Sequence, residues 1–156
     1  MDEEYEKRKA EAQELFARTK PIQSPALKQE VRFTAEGLNH IIFKRGSLER
    51  DRTSQMMRFK LLPRAVRLIA HANTYQEFEE TTQDFQTKMR KRRETRSKIV
   101  SYWGMIAIFE GRKIKVILRK VGNGYLHFWS IVPAWTTSRY RDLKLVATMK
   151  GNPELD

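Results

Sequence analysis

The residue types that could carry out chemistry in this chain are histidine, arginine, lysine and serine, since the sequence contains no cysteine. That absence excludes disulfides, thiolate metal sites and a cysteine nucleophile. The three histidines, His40, His71 and His127, are far apart and have no HExxH spacing. Phosphate-loop motifs are absent, and Glu110 with Lys113 only weakly resembles a strand motif of magnesium-dependent nucleases. We therefore expect neither a metal nor a cofactor.

Cleavage of RNA without a metal needs few protein groups, because the 2′-hydroxyl of the substrate is itself the nucleophile. The protein must supply a proton acceptor, a proton donor for the leaving oxygen, and cations that stabilise the phosphorane. Histidine, arginine, lysine and a hydroxyl group on a basic sheet face can together meet these needs.

The charge of the chain favours a polyanionic partner. The sequence has 31 Lys+Arg against 19 Asp+Glu, a formal net charge of +12. Lys88–Lys98 carries seven basic residues and one acid, and basic strands follow it, whereas residues 2–14 are rich in acids. A field of this sign attracts nucleic acid. We expect one continuous polyanion-binding face in the second half of the chain, with RNA as the partner.

The first half of the chain shows helical periodicity. Tyr5, Ala12, Leu15 and Phe16 share one side of a helix predicted over 2–19. An ordered loop or linker is predicted at 20–30 around Pro21 and Pro25, then a short strand at 31–33 and a helix over about 35–45 with Thr34 as N-cap and Gly46 as its end. Residues 47–60 are predicted to be mixed loop and helix, and a helix with Pro63 in its first turn then runs to His71 on a buried stripe of Leu62, Ala65, Val66 and Ile69. The polar segment at 74–97 is predicted to be part helix and part mobile arm.

The second half shows strand periodicity. Strands are predicted at Ile99–Phe109, Lys113–Val121 and Leu126–Val132, the last ending at Pro133. They form an antiparallel meander, extended by one more strand from Asp142–Met149 or from 31–33. In the middle strand Ile114, Val116 and Leu118 alternate with Lys113, Lys115 and Arg119. Helices followed by strands predict an α+β fold with N-terminal helices packed on a C-terminal antiparallel sheet. The domain division predicted is an N-terminal helix and linker at 1–30 and a single domain at 31–150.

The turn Gly122-Asn123-Gly124 leaves two registers open for the last hairpin. A three-residue loop sets Arg119 opposite His127, whereas a two-residue turn sets Lys120 there. Either register places a cation beside His127. His127 is therefore a candidate acid or base, with Lys115 and Lys120 as candidate phosphate-binding cations.

Two segments resemble a known nuclease family. They are VRFTAEGLNHIIFKRG, residues 31–46, and ILRKVGNGYLHFWSIVPAW, residues 117–135. The first resembles the strand-to-helix opening, and the second the closing hairpin, of the phage-associated branch of the barnase–EndoU–colicin–RelE-like (BECR fold) nucleases. The resemblance implies a small toxin or effector that cuts RNA without metal on a helix-plus-antiparallel-sheet fold.

The resemblance also implies roles for individual residues. His40 would be the general base or acid, Arg119 would clamp the phosphate, and Ser130 would hydrogen-bond the phosphate or position the histidine. Lys44 and Arg45 would be auxiliary cations, at a place where such relatives often carry a second histidine. Since His40 lies away from the apolar residues of its helix, we expect it to be partly exposed.

The remaining expectations concern partners and location. No apolar run reaches the roughly 20 residues that a membrane span requires, and the acidic N-terminus is unlike a signal peptide. We expect a cytoplasmic protein with no membrane partner, held in check by an acidic antitoxin or immunity protein. The alternative function is a non-enzymatic RNA- or DNA-binding module. The two differ in whether His40, Arg119 and Ser130 converge on one phosphate-sized cleft.

Overall fold

The computed structural model describes residues 2–45, 47–89, 92–136, 147–148 and 152–156. These residues form three helices and a mostly antiparallel sheet, which confirms the α+β class. The helices are α1 (Asp2–Arg18), α2 (Ala35–Ile42) and α3 (Arg52–His71). The strands are β1 (Ile22–Ser24), β2 (Gln29–Arg32), β3 (Phe43–Lys44), β4 (Leu48–Glu49), β5 (Glu77–Met89), β6 (Arg92–Phe109), β7 (Arg112–Val121), β8 (Leu126–Thr136) and β9 (Ala147–Thr148). None of the described helices is long and apolar enough to cross a membrane.

Helix α1 buries the four side chains that the periodicity predicted, Tyr5, Ala12, Leu15 and Phe16. They belong to the main hydrophobic core, together with side chains of α2, α3 and the sheet. The Tyr5 hydroxyl donates to Gln55 Oε1 on α3 at 2.5 Å, so this buried hydroxyl group is satisfied. The 20–30 segment, expected as a loop, instead contains β1 and the start of β2.

Helix α2 follows Thr34 as predicted, although the Thr34 side chain makes no capping hydrogen bond. It ends at Ile42, earlier than the predicted bound near 45, because β3 pairs with β4 immediately afterwards. Gly46, expected to end the helix, lies outside the described residues. Gly37 allows α2 to approach the sheet closely, since a Cβ there would lie 2.4 Å from the main-chain oxygen of Phe128.

Helix α3 begins eleven residues before Pro63, so the prediction of Pro63 in a first turn was wrong. The start is fixed by Asp51, whose side chain accepts from the Ser54 amide at 2.7 Å. Buried side chains then continue through the segment expected to be partly loop, and Pro63 is accommodated on the exposed side of the helix. The buried stripe consists of Gln55, Arg58, Phe59, Leu62, Ala65 and Ile69.

The polar segment 74–97 is neither helical nor an unpaired arm, contrary to prediction. Strands β5 and β6 pair antiparallel from Glu77↔Gly104 to Met89↔Arg92. Consequently β6 also begins before the predicted strand at Ile99. The hydrogen bonds of this long hairpin compensate for its sparse apolar side chains, which is why periodicity alone missed it.

The remaining sheet contains both of the predicted extensions. Strand β2 adds parallel to β8, and β9 adds parallel to β5; the rest of 142–149 lies outside the described residues. The strand order is β1-β2-β8-β7-β6-β5-β9. Strand β8 continues past Pro133, where it was predicted to end, because a register shift next to the Ile114↔Pro133 pair accommodates the proline.

The two faces of β7 are covered by different elements. On what we call the helix face, Ile114, Val116 and Leu118 join the main core beneath the helices, as the alternation predicted. On the opposite face, which we call the site face, Ile117 belongs to a second cluster with Val100, Tyr102 and Trp129. Lys115 and Arg119 lie on this face, opposite the apolar residues, as the alternation predicted, but they are only 8% and 6% exposed. They are buried because residues 152–156 and part of α2 lie over them.

Candidate functional site

A cleft of about 140 Å³ lies where α2 crosses the site face of β7 and β8. Two sequence-predicted residues, His40 and Arg119, line it. Its other lining residues are Glu36, Asn39, Trp129 and Glu154.

A β-bulge in β8 places two consecutive side chains toward this region. Leu118 pairs with Phe128 and Ile117 with Ser130, so Trp129 is the extra residue of the bulge. Trp129 Nε1 donates to the Pro153 main-chain oxygen at 2.9 Å, and Ser130 Oγ donates to that of Asp156 at 2.6 Å. The bulge therefore sets an aromatic ring and a hydroxyl group side by side on the site face.

Trp129 is the platform on which the predicted residues meet. The His40 ring stacks on it with centroids 4.1 Å apart and an interplanar angle of 18°. The Arg119 guanidinium carbon lies 4.1 Å from the Trp129 ring centroid, a cation–π geometry. Trp129 is itself buried. The ring thus holds an imidazole and a guanidinium next to one cleft.

His40 is buried, only 3% exposed, contrary to the expectation of partial exposure. The structural reason is Arg50, whose Nε donates to the His40 main-chain oxygen at 3.0 Å and whose Nη2 lies 3.3 Å from His40 Nε2. Burial, followed by the charges of Arg50, Arg58 and Arg119, lowers the pKa of His40 to about 3. The imidazole is therefore neutral at pH 7, and because arginine only donates, its Nε2 is the acceptor.

His127 lies opposite Arg119, which confirms the register given by the three-residue loop. It is 2% exposed, and its Nε2 lies 3.9 Å from Glu36 Oε2. Burial and the Arg119 charge lower the pKa of His127, and Glu36 opposes them. His127 is thus a second neutral imidazole that faces a carboxylate.

Glu36 is a functional candidate that the sequence analysis missed. Its Oε2 lies 3.5 Å from Arg119 Nη1, and its side chain is 56% exposed, so it can meet a ligand from solvent. Its position four residues before His40 on one helix face is the signal that could have identified it.

Arg119 has a donor without an acceptor: its Nε is buried and has no hydrogen-bond partner among the described residues.

Ser130 is fully buried and belongs to a polar cluster beside the cleft. Its Oγ accepts from Arg58 Nη1 at 2.9 Å. Arg58 and Arg50 were also missed. Arg58 occupies a position of the buried stripe of α3, which is the signal that it points inward, whereas no periodicity marks the loop residue Arg50.

The four predicted auxiliary cations do not line the cleft. Lys115 pairs with Glu77 at 3.5 Å and with the Asp156 carboxylate at 3.8 Å. Lys120 follows Arg119 on β7, so it faces the other side of the sheet. Lys44 in β3 and Arg45 in the following turn lie after the end of α2, and neither is among the residues that line the cleft.

The arrangement can bind an anion and accept a proton at neutral pH. Arg119 supplies positive charge at the cleft, and the buried Arg50 and Arg58 supply more behind His40. Glu36 supplies an exposed carboxylate. Over the described part of the chain, no group of three potential metal-ligating side chains is found. The structure therefore defines an α+β protein with a small polar cleft lined by guanidinium, imidazole, carboxylate and indole groups.

Comparisons of the chain with family models, curated proteins and solved structures find no match.

Proposed function

We propose that this protein is a metal-independent endoribonuclease of the toxin or effector type, similar to the BECR-fold nucleases and acting on RNA in the cytoplasm. The observation that carries the proposal is the convergence of His40 and Arg119 on Trp129 at one cleft. Glu36 and His127 complete the set of groups that phosphodiester transfer needs.

In this proposal Arg119 binds the scissile phosphate. Its buried Nε is an unused donor among the described groups, and the phosphate would give that donor an acceptor. The negative charge that develops on the phosphorane is then stabilised by a guanidinium held in a desolvated position.

Glu36 is the proton acceptor for the 2′-hydroxyl, because its carboxylate is exposed and lies next to Arg119. The 2′-oxygen forms a bond to phosphorus, the bond from phosphorus to the 5′-oxygen breaks, and the leaving oxygen takes a proton. His127 supplies that proton, since a bound phosphate beside it raises its pKa from the lowered value of the free protein.

His40 positions these groups. Its Nε2 faces Arg50, so it could act as the base itself only after that contact is broken. Its stacked ring and Arg119 both contact Trp129, which holds the guanidinium in place. The predicted role of Ser130, contact with a phosphate, requires the Asp156 main-chain oxygen to leave its hydroxyl.

The test is RNA cleavage in EDTA by the wild type and by Glu36→Gln, which changes an exposed side chain and should not disturb folding. We expect products with 2′,3′-cyclic phosphate ends, and cleavage reduced by about 100-fold or more in Glu36→Gln. Glu30→Gln, an exposed glutamate on β2, is the matched control and should cleave like the wild type. His40→Ala and Arg119→Ala should also lose cleavage, whereas the exposed His71→Ala should not.

The alternative is a non-enzymatic RNA- or DNA-binding module. One observation favours it: both imidazoles near the cleft are buried with lowered pKa values, which disfavours their protonation. Intact RNA with equal, salt-sensitive binding by wild type, Glu36→Gln and Arg119→Ala would establish the binding module and contradict the nuclease. An acidic antitoxin or immunity protein remains the proposed protein partner in the first case.

A further inference from the structure

Residues 152–156, which we call the covering segment, lie across the site face of the sheet. Their main chain accepts hydrogen bonds from three separate elements. Arg50 Nη1 donates to Leu155 O at 2.9 Å, Arg58 Nη1 to Asp156 O at 2.5 Å, Ser130 Oγ to Asp156 O at 2.6 Å, and Trp129 Nε1 to Pro153 O at 2.9 Å. The Asp156 carboxylate also lies 3.8 Å from Lys115 Nζ.

The donors beneath the covering segment are cationic and buried. Arg50 is 3% exposed and Arg58 is 7% exposed. Burial is the main cause that lowers the pKa of both groups, that of Arg58 to about 10, and the charge of Arg50 lowers the pKa of Arg58 further. Asp156 opposes the shift at both arginines. Two adjacent guanidiniums in such a position favour an anion.

The acceptors that these donors now have are mostly neutral oxygens. Arg58 Nη1 contacts Ser130 Oγ, Ile131 O and Asp156 O, and Arg50 contacts the main-chain oxygens of His40 and Leu155. A phosphate offers charged oxygens in the bidentate geometry that guanidinium prefers, and hydrogen bonds to charged acceptors are the stronger ones. A phosphate would therefore be a better partner for these donors than the main-chain oxygens.

The covering segment also places a negative charge at the cleft. Glu154 lines it, accepts from the Tyr102 hydroxyl and lies 3.1 Å from Gln83 Nε2. Burial and the bond to Glu154 raise the pKa of Tyr102 to about 12, so the phenol keeps its proton and holds Glu154 at neutral pH. A carboxylate held there repels a phosphate that approaches Arg119.

We propose that Arg50, Arg58 and Ser130 form a second phosphate-binding site, and that the covering segment occupies this site in the free protein and competes with RNA for it. The choice of RNA as the ligand rests on the proposed function. The site adjoins the cleft, because Trp129 lines the cleft and its neighbour Ser130 accepts from Arg58. The segment is thus an internal competitor that RNA must displace.

The first test measures the affinity of an all-2′-deoxy oligonucleotide, which cannot be cleaved by 2′-hydroxyl attack. The double variant Glu154→Gln with Asp156→Asn removes two negative charges of the segment at nearly unchanged size. Glu3→Gln with Glu14→Gln makes the same change of net charge on the exposed face of α1. We expect the first variant to bind about tenfold more tightly than the second. Equal affinity of the two variants would overturn the proposal.

The second test excises residues 152–156 and adds the peptide Asn-Pro-Glu-Leu-Asp in trans. The excised protein should bind the oligonucleotide more tightly than the wild type, and the peptide should reverse the gain, whereas a peptide of the same composition in scrambled order should not. A peptide without effect on a folded excised protein would contradict internal competition. If the excised protein does not fold, the charge variants decide the question.

These binding results are independent of catalysis. Tighter binding by the Glu154→Gln, Asp156→Asn variant, with no cleavage by any variant, would retain the second site and reject the nuclease. Cleavage by the wild type, with equal binding by the two charge variants, would retain the nuclease and reject the competitor.

Discussion

The two faces of β7 are both buried, but by different means. Ile114, Val116 and Leu118 lie under the helices in a continuous apolar core. Lys115 and Arg119 alternate with them and lie under α2 and the covering segment. Burial on the helix face is favourable for every atom, whereas on the site face it removes charged groups from water.

The site face therefore depends on polar partners where the helix face depends on packing. The two buried cations of β7 are paired: Lys115 with Glu77, and Arg119 with Glu36 and the Trp129 ring. Such pairs offset desolvation without adding much stability. The helix face therefore carries most of the stability of the fold, and the groups able to do chemistry lie where burial adds least stability.

The largest effect is expected from a substitution in the apolar core on the helix face, at Phe128. Phe128 is fully buried, its ring is stacked on Phe33 with centroids 5.2 Å apart, and it meets Phe16 edge to face at 5.6 Å. We expect Phe128→Ala to lower the free energy of unfolding by about 3–5 kcal/mol, because it leaves a cavity among aromatic rings. Urea denaturation measures the loss. Tyr125→Ala, at the residue before β8 and 43% exposed, is the control and should lose far less. A loss below about 1 kcal/mol for Phe128→Ala would contradict the assignment of stability to this face.

The second largest effect is expected at Gly37, where α2 packs closely against β8. A Cβ on Gly37 would lie 2.4 Å from the Phe128 main-chain oxygen, so Gly37→Ala must push α2 away from β8. We expect a loss of about 2–3 kcal/mol in unfolding free energy. Because α2 carries Glu36 and His40, the Trp129 environment should change as well, which near-ultraviolet circular dichroism detects. Ala35→Gly, an exposed change at the start of α2, is the control; an unchanged Trp129 signal in Gly37→Ala would contradict the close contact.

The third effect is confined to the site face and depends on pH. The pKa of His40 is about 3 in the folded protein and about 6.5 in the unfolded chain. Between these values the unfolded chain binds a proton that the folded protein excludes, so stability falls as the pH falls below 6.5. From pH 6.5 to 4.5 this single group removes about 2 kcal/mol at most.

Urea denaturation across this pH range gives the measurement. His40→Gln should show a shallower decline of unfolding free energy than the wild type, by up to about 1 kcal/mol per pH unit. His71→Ala, which removes an exposed imidazole outside the cleft, is the matched control. Identical slopes for His40→Gln and the wild type would mean that the folded protein takes up this proton as readily as the unfolded chain does, and would contradict the lowered pKa of His40.

The sequence predicted those elements whose side chains repeat with a clear period. The apolar face of α1 and the alternation of β7 are of this kind, and so is the general α+β class. Side-chain periodicity did not predict the β5–β6 hairpin, because hydrogen bonds between the main chains stabilise these two strands although their side chains are mostly polar. The start of α3 was also predicted wrongly, because Pro63 is typical of the first turn of a helix. The helix begins earlier, where the Asp51 side chain caps it.

The site was predictable only in part for a related reason. The turn chemistry at Gly122–Gly124 was enough to bring Arg119 opposite His127 in one of two registers. The burial of His40 was not predictable, because it results from Arg50 in a loop without periodicity and from Pro153, which is distant in sequence. Residues that act through long-range contacts have no local pattern that marks them.

The smallest effect is expected at Gly122, in the turn that joins β7 to β8. Gly122 has a φ of 54°, and the turn is closed by the Gly124 amide donating to Val121 O at 2.9 Å. We expect Gly122→Ala to lower unfolding free energy by about 1 kcal/mol, because an alanine is strained at this φ although its Cβ meets no atom within 4 Å. Asn123→Ala, in the same exposed turn, should change stability by no more than about 0.5 kcal/mol.

The register itself should survive Gly122→Ala, because a slip by one residue would turn Arg119 into the apolar core and Leu118 toward the cleft. Cross-strand amide contacts between Arg119 and His127, measured by nuclear Overhauser effects, report the register directly. Their persistence at reduced stability would mean that the two unlike faces of β7 fix the pairing and that the turn only favours it. Their loss would mean that the turn sets the pairing and thereby decides which face receives the cations.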